Sequence, residues 1–150
     1  SEHSLEVELP ILQYFKPDFT IVPIAFLSDD LKALKDIGVT IAQAVKESGL
    51  RDSVLLVASS DMTHYEEEAI ARNKDKQAID AILALDEHRL AENIRKFDIT
   101  MCGFAPVIAL LAAAKALGAK SASLVEYQTS GDVTGDRESV VGYAGIIINP

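Results

Sequence analysis

Apolar residues fall along this chain in two rhythms, one close to helical spacing and one of short unbroken runs. Leu5, Leu9 and Leu12 recur at helical intervals behind Ser4 and predict a short first helix, distorted near Pro10. Leu31, Leu34, Ile37, Ile41, Ala44 and Val45 form one apolar stripe, with Ser28, Asp29 and Asp30 ready to cap its start and Gly49 at its end. Residues 66–85 and 87–96 predict two more helices, the second capped by Asp86. "APVIALLAAAKALG" predicts a buried helix, with Pro106 in its first turn and Gly118 past its end. Between the helices lie strand-like runs. "FTIVPIAF" (19–26) reads as an edge strand because of Pro23. "SVLLVA" (53–58) reads as a strand covered on both faces. "SASLVEYQ" (121–128) and "VVGYAGIIIN" (140–149) close the chain as strands joined by the polar loop "TSGDVTGDRES".

Strands alternating with helices at these lengths predict an α/β layered sheet flanked by helices. No repeat or Pro/Gly/Ser-rich linker divides the 150 residues, so one domain spanning 1–150 is expected. Charge narrows the partners. With 23 acidic and 14 basic residues the net charge is −9, which disfavours nucleic acid and anionic lipid. The longest apolar run is interrupted by Lys115 and too short to span a bilayer, so no membrane association is expected. A single cysteine, Cys102, makes no internal disulfide, and a cytoplasmic location follows as the expectation. The chain opens on "SEHSLEVELP" without a start methionine, as a fragment would.

Candidate chemistry gathers just past the 53–58 run, in "SSDMTHY" (59–65). In open α/β sheets ligands bind beyond the carboxyl ends of strands. Asp61 and His64 stand three apart and would share one face if the chain turned helical there. The plainer alternative makes Asp61 the cap of a helix beginning near His64 or Tyr65, with His64 a surface histidine. Cys102 lies in "TMCGFAP", just before the helix that Pro106 opens. There the positive end of the helix dipole favours thiolate, although free cysteines are commonly buried small hydrophobes. His3 precedes the first helix and is otherwise a solvated terminal residue, while His88 sits among Glu87, Arg89 and Glu92 on a solvated face. Together His3, Asp61, His64 and Cys102 offer the mixed N, O and S donors that suit a transition metal. Ser59 or Ser60 with His64 and Asp61 has the residue types of a serine hydrolase. The nucleophile and base are too close in sequence, however, and no G-x-S-x-G elbow is present. Neither a P-loop nor a G-x-G-x-x-G motif appears.

Four motifs, "EHSLEVELPIL", "SSDMTHY", "MCGFAPV" and "VVGYAG", stand in an order and spacing that resembles the Memo family, whose bacterial members are called AmmeMemoRadiSam system protein B. The resemblance runs the length of the chain but matches only about the C-terminal half of a family member. It implies a fold similar to that of class III extradiol ring-cleaving dioxygenases, and a cleft binding iron, or else copper or zinc. The family's metal cysteine, in a cysteine–glycine turn, matches Cys102 and Gly103. Its serine–serine–aspartate–x–x–histidine motif matches Ser59, Ser60, Asp61 and His64, and its glutamate–histidine–serine motif matches Glu2, His3 and Ser4. The family's two principal histidine ligands come from upstream strings, proline–histidine–alanine–glycine and serine–histidine–histidine, that do not occur here. His3 and His64 would stand in as ligands beside Cys102, or the site would stay empty.

Three functions follow as expectations. The first is a metal-dependent oxygenase or redox protein, with Cys102, His64 and His3 on the metal and Asp61 and His64 moving protons; a redox-inactive metal would make it a hydrolase instead. The second is a non-catalytic module holding a peptide or small molecule in the same cleft. The third concerns partnership: the chain pairs with a polypeptide supplying the upstream half of the fold, or it oligomerises, because runs such as "SVLLVA" would otherwise lie at an open edge.

Overall fold

In the computed structural model, residues 5–149 are described; Glu2, His3 and Ser4 lie outside them. Six α-helices and three strands are present among them: α1 (Leu9–Phe15), α2 (Leu31–Glu47), β1 (His64–Glu66), α3 (Glu68–Leu83), α4 (Glu87–Lys96), α5 (Phe104–Ala116), β2 (Ser121–Thr129), α6 (Ser130–Thr134) and β3 (Val140–Asn149). The class is mixed α/β, as the alternating pattern predicts. The sheet is antiparallel, in the order β1–β3–β2.

Local signals fix most helix ends. Asp30 accepts from the Ala33 N–H at 2.7 Å and starts α2, and Asp86 accepts from the Arg89 N–H at 2.9 Å and starts α4. Pro10 stands in the first turn of α1, where its missing N–H costs nothing. A 3₁₀ turn, Glu6–Glu8, precedes it. The polar loop between the last two strands contains a helix the pattern did not predict. Its start is fixed by a capping box in which Thr129 and Asp132 each bond the other's backbone.

Apolar all round, α5 sits at the centre, burying Ala105, Val107, Ile108 and Leu111 among others. Around it the core gathers Leu34 of α2, Ala78 and Ile82 of α3, Leu90 of α4 and Met62 and Met101 from the loops. Leu34, Leu90 and Leu111 are fully buried, and truncating any of them to alanine costs about 2–5 kcal/mol.

Three sequence expectations need correction. Of the run at 53–58, Ser53 closes a 3₁₀ turn (Arg51–Ser53) and the rest belongs to no ladder, with burial on one side only: Leu56 and Ala58 are half-buried, while Leu55 is 74% exposed. Residues 19–26 likewise belong to no ladder, but without alternation: 20–25 are all exposed, Val22 by 85%. Their composition suits a strand, but among the described residues no chain pairs with them. The third correction concerns "THY". It does not open a helix; His64–Glu66 pairs with Val140 and Val141 as β1, and α3 begins only at Glu68. Glu67, not Asp61, is the residue before that helix.

A charge cluster around buried Glu68 ties α3 to the end of β2 and to α6. Glu68 accepts from Arg72 at 2.7 Å, from Thr129 Oγ1 at 3.0 Å and from Arg137. Asp132 accepts from Arg72 and from the Thr129 N–H. The bond from Arg72 holds the Glu68 carboxyl below its ordinary range, against the opposing effect of burial and with help from Thr129 and Arg137. For Asp132 the Thr129 N–H is the largest cause of the same lowering, again outweighing burial. Because both folded values lie below the unfolded ones, this stabilisation is complete above the ordinary carboxylate range and disappears as pH falls through the folded values. The urea midpoint should therefore drop as pH is lowered from about 5 to about 3, and drop less steeply in Glu68→Gln. A wild-type and variant pair with parallel pH profiles would contradict this.

Candidate metal centre

The "SSDMTHY" segment is positioned from below by two buried contacts. Met62 donates its N–H to the Gly142 carbonyl, and Gly142 returns a bond to the Thr63 carbonyl, both at 2.9 Å. Asp75 of α3, fully buried, accepts from the Thr63 N–H at 2.8 Å and from the Tyr127 hydroxyl at 2.7 Å. Burial first, and then the bond to Asp75, push the Tyr127 phenol up, so it stays a proton donor. Position 142 must be glycine: a Cβ there would lie 1.9 Å from Asp75 Oδ2. With residues 62 and 63 held, Asp61 and His64 emerge at either end.

Cys102 arrives from the opposite side, immediately before Gly103, the residue that starts α5. Gly103 packs so closely on the serines that a Cβ would lie 2.4 Å from the Ser59 carbonyl oxygen and from Ser60 Cβ. Its N–H donates to Ser60 Oγ at 2.9 Å, and Ser60 Oγ donates to the Asp61 carbonyl at 2.6 Å. This close approach brings the Cys102 sulfur onto the Asp61 N–H, 3.3 Å away, which fixes where the sulfur sits. Ser59 turns instead to Glu8, donating to its carboxylate at 3.1 Å.

Three of the four predicted donors converge, the fourth, His3, lying outside the described residues: an oxygen of Asp61, a ring nitrogen of His64 and the sulfur of Cys102 all lie within 4.8 Å of one another. They are brought together without the shared helix face that their spacing suggested. His64 is oriented twice by Thr100, whose hydroxyl accepts from the His64 N–H at 2.7 Å and whose carbonyl lies 2.8 Å from Nδ1. A carbonyl only accepts, so Nδ1 carries the proton and Nε2 presents its lone pair. Nε2 faces Asp61 Oδ2 at 3.4 Å. Two acceptors facing each other call for a cation or a proton between them. Two ligands each about 2.1 Å from one ion stand roughly 3.0–3.5 Å apart, so the spacing fits shared coordination. A histidine whose second nitrogen is held by a backbone carbonyl is the usual posture of a metal ligand. The donor set fits a transition ion and leaves coordination positions open.

Two neighbours were not singled out from the sequence. Thr100, two residues before Cys102, could have been found only by knowing that "TMCG" lies against "THY". Tyr143, inside "VVGYAG", has its phenol pushed up by burial first and then by the charge of Asp61. Tyr65 takes a left-handed φ of +57°, strained for a non-glycine residue, and its ring centroid sits 5.8 Å from that of His64. His88 is exposed and remote from the site, its Nε2 lying 2.7 Å from Lys35 Nζ. Thr100→Val keeps the carbonyl but removes the acceptor for the His64 N–H. Metal affinity should fall about tenfold with little change in melting temperature; unchanged affinity would show that Thr100 does not orient the ligand.

The Memo-like protein family matches residues 1–147. A MEMO1 family protein of Methanocaldococcus jannaschii is 45% identical over 152 residues, covering 99% of this chain and 52% of the relative. Others from Methanococcoides burtonii and Pyrobaculum aerophilum are 47% and 45% identical, with 55% and 51% of their lengths covered. The chain thus spans about half the length of the curated relatives it matches. Among the described residues no helix is long and apolar enough to cross a membrane. With the motifs at 59–65, 101–107 and 140–145 folded around one cluster and the match running from end to end, this chain belongs to the Memo-like protein family.

Proposed function

We propose that Asp61, His64 and Cys102 hold a transition-metal ion, iron in the first instance, in a centre of the non-haem oxygenase type acting on a small molecule. The observation that carries this reading is the His64 ring, with Nδ1 committed to the Thr100 carbonyl and Nε2 turned toward Asp61 and the sulfur. A bound ion of this kind would supply activation of dioxygen and of substrate oxygen atoms.

The chain's own residues set what surrounds that chemistry. Cys102 contributes its sulfur, as the thiolate that metals select, held in place by the Asp61 N–H. Asp61, about half exposed, is free to accept a proton from an incoming ligand or to bind the ion. Tyr143, its phenol pushed up by burial and then by the Asp61 charge, keeps its proton. An imidazole, a carboxylate and a sulfur would be the protein's three donors to such an ion, leaving it able to take further ligands.

Anaerobic equilibrium dialysis of the purified chain against Fe(II), with elemental analysis, tests the reading. One ion per chain is expected, with Cu and Zn as competitors that identify the preferred metal. A chain that retains none of the three would refute it.

A further inference from the structure

α3 supplies none of the three donors, yet one of its side chains joins the two segments that do. Lys74 Nζ donates to Glu66 Oε1 at 2.5 Å and to the Asp98 carbonyl at 2.9 Å. Glu66 ends β1 two residues after His64, and Asp98 stands two residues before Thr100 and four before Cys102. An exposed lysine–glutamate pair contributes little, because water screens it and both long side chains must be ordered. This pair is largely covered, with the Lys74 side chain 19% exposed and that of Glu66 24%. The second carboxylate oxygen of Glu66 is buried and has no hydrogen-bond partner among the described residues. The ammonium therefore offsets most of the cost of holding that carboxylate inside.

The stretch between His64 and Glu66 has to be held. His64 pairs with Val141 and Glu66 with Val140, so two steps along β1 match one along β3, and Tyr65 is the extra residue of a bulge. Its φ of +57° persists in a non-glycine residue only where the surroundings impose it. Its own ring imposes little, being 78% exposed. The two neighbours supply the constraint. Thr100 takes the His64 N–H and faces Nδ1, while Lys74 takes Glu66 and grips the loop that leads to Thr100. We propose that Lys74 is a positioning residue for His64: by clamping the bulge to the 98–102 segment it keeps Nδ1 on the Thr100 carbonyl and Nε2 turned toward Asp61 and Cys102. The use of that posture rests on the metal reading, but the posture itself is set by protein contacts alone. Without the ammonium, Glu66 and the Asp98 carbonyl are released together, the bulge relaxes, and the ring is no longer fixed to its carbonyl.

The test reads the ring in metal-free protein. Nitrogen-15 NMR of the His64 imidazole at about pH 8, above the ordinary imidazole range, should show the Nδ1–H tautomer in the wild type. Lys74→Met keeps the apolar stem and removes the donors. Its ring should average between tautomers, and its affinity for Zn(II) should fall about tenfold. Lys74→Arg has donors for both acceptors and should restore the fixed ring. Because Lys74→Met leaves Glu66 inside without its cation and lowers stability, Lys74→Met combined with Glu66→Met repeats the comparison in a background that folds well. Circular dichroism and thermal melts confirm the fold of each. A fixed Nδ1–H ring in Lys74→Met or in the paired variant would overturn the proposal, and so would a Lys74→Arg ring as mobile as that of Lys74→Met. The metal reading is judged separately, by whether the wild type takes up Zn(II) at all.

Discussion

Cys102→Ala should lower the affinity of the chain for Fe(II) by at least about a hundredfold while leaving the fold intact. The sulfur is one of three protein donors in the cluster, and loss of mere orienting partners around metal sites already costs about 10–100-fold. Cys102 is exposed and its hydrogen bonds are long, the shortest being that from the Asp61 N–H at 3.3 Å. Truncation should therefore change stability by no more than about 1 kcal/mol. Parallel anaerobic titrations and thermal melts of wild type and variant separate the two effects. Equal affinity would remove sulfur from the site. A variant that fails to fold would show that Cys102 is structural instead.

Asp75→Ala should be the most destabilising single change near the site, by about 3 kcal/mol. The side chain is fully buried, and its loss strands the Thr63 N–H and the Tyr127 hydroxyl together in a dry interior. For a chain of this size that lowers the melting temperature by about 6–12 °C. Metal affinity should fall with it, because residues 62 and 63 hold Asp61 and His64 in place. Gly142→Ala should be comparably harmful in the wild-type background, since its Cβ would lie 1.9 Å from Asp75 Oδ2. In the Asp75→Ala background the obstructing oxygen is gone. The double variant should then be clearly less destabilised than the two single losses combined, a coupling readable in a thermodynamic cycle by urea unfolding. Additive losses would mean that the two residues do not meet.

Much of the fold was legible because its signals are local. The stripe from Leu31 to Val45, the caps at Asp30 and Asp86 and the apolar helix behind Pro106 each declare themselves within a few residues. What escaped was non-local. Residues 54–58 have the composition of a strand, but a strand exists only with a partner, and composition does not say whether one is at hand. His64 reads as the start of a helix until β3, more than seventy residues away, pairs with it at Val141. The strained φ of Tyr65, which breaks the register between His64 and Glu66, has no local sequence signature. The site divides in the same way. Asp61 and His64 are neighbours in sequence and their association could be anticipated. The approach of Cys102 depends on Gly103 fitting against Ser59 and Ser60, and the His64 ring depends on Thr100. Neither contact shows in the linear order of residues. The position of His3 falls outside the described residues, so its expected part in the site is carried only by the family motif.

The central claim is that one ion is held jointly by a sulfur at position 102 and an imidazole at position 64. X-ray absorption at the zinc edge, using Zn(II) as a redox-silent stand-in, tests it most directly. One sulfur at about 2.3 Å is predicted beside nitrogen and oxygen neighbours at about 2.0–2.2 Å, with the sulfur shell lost in Cys102→Ala and the imidazole scattering lost in His64→Ala. A first shell of oxygen and nitrogen alone, unchanged by either substitution, would contradict it.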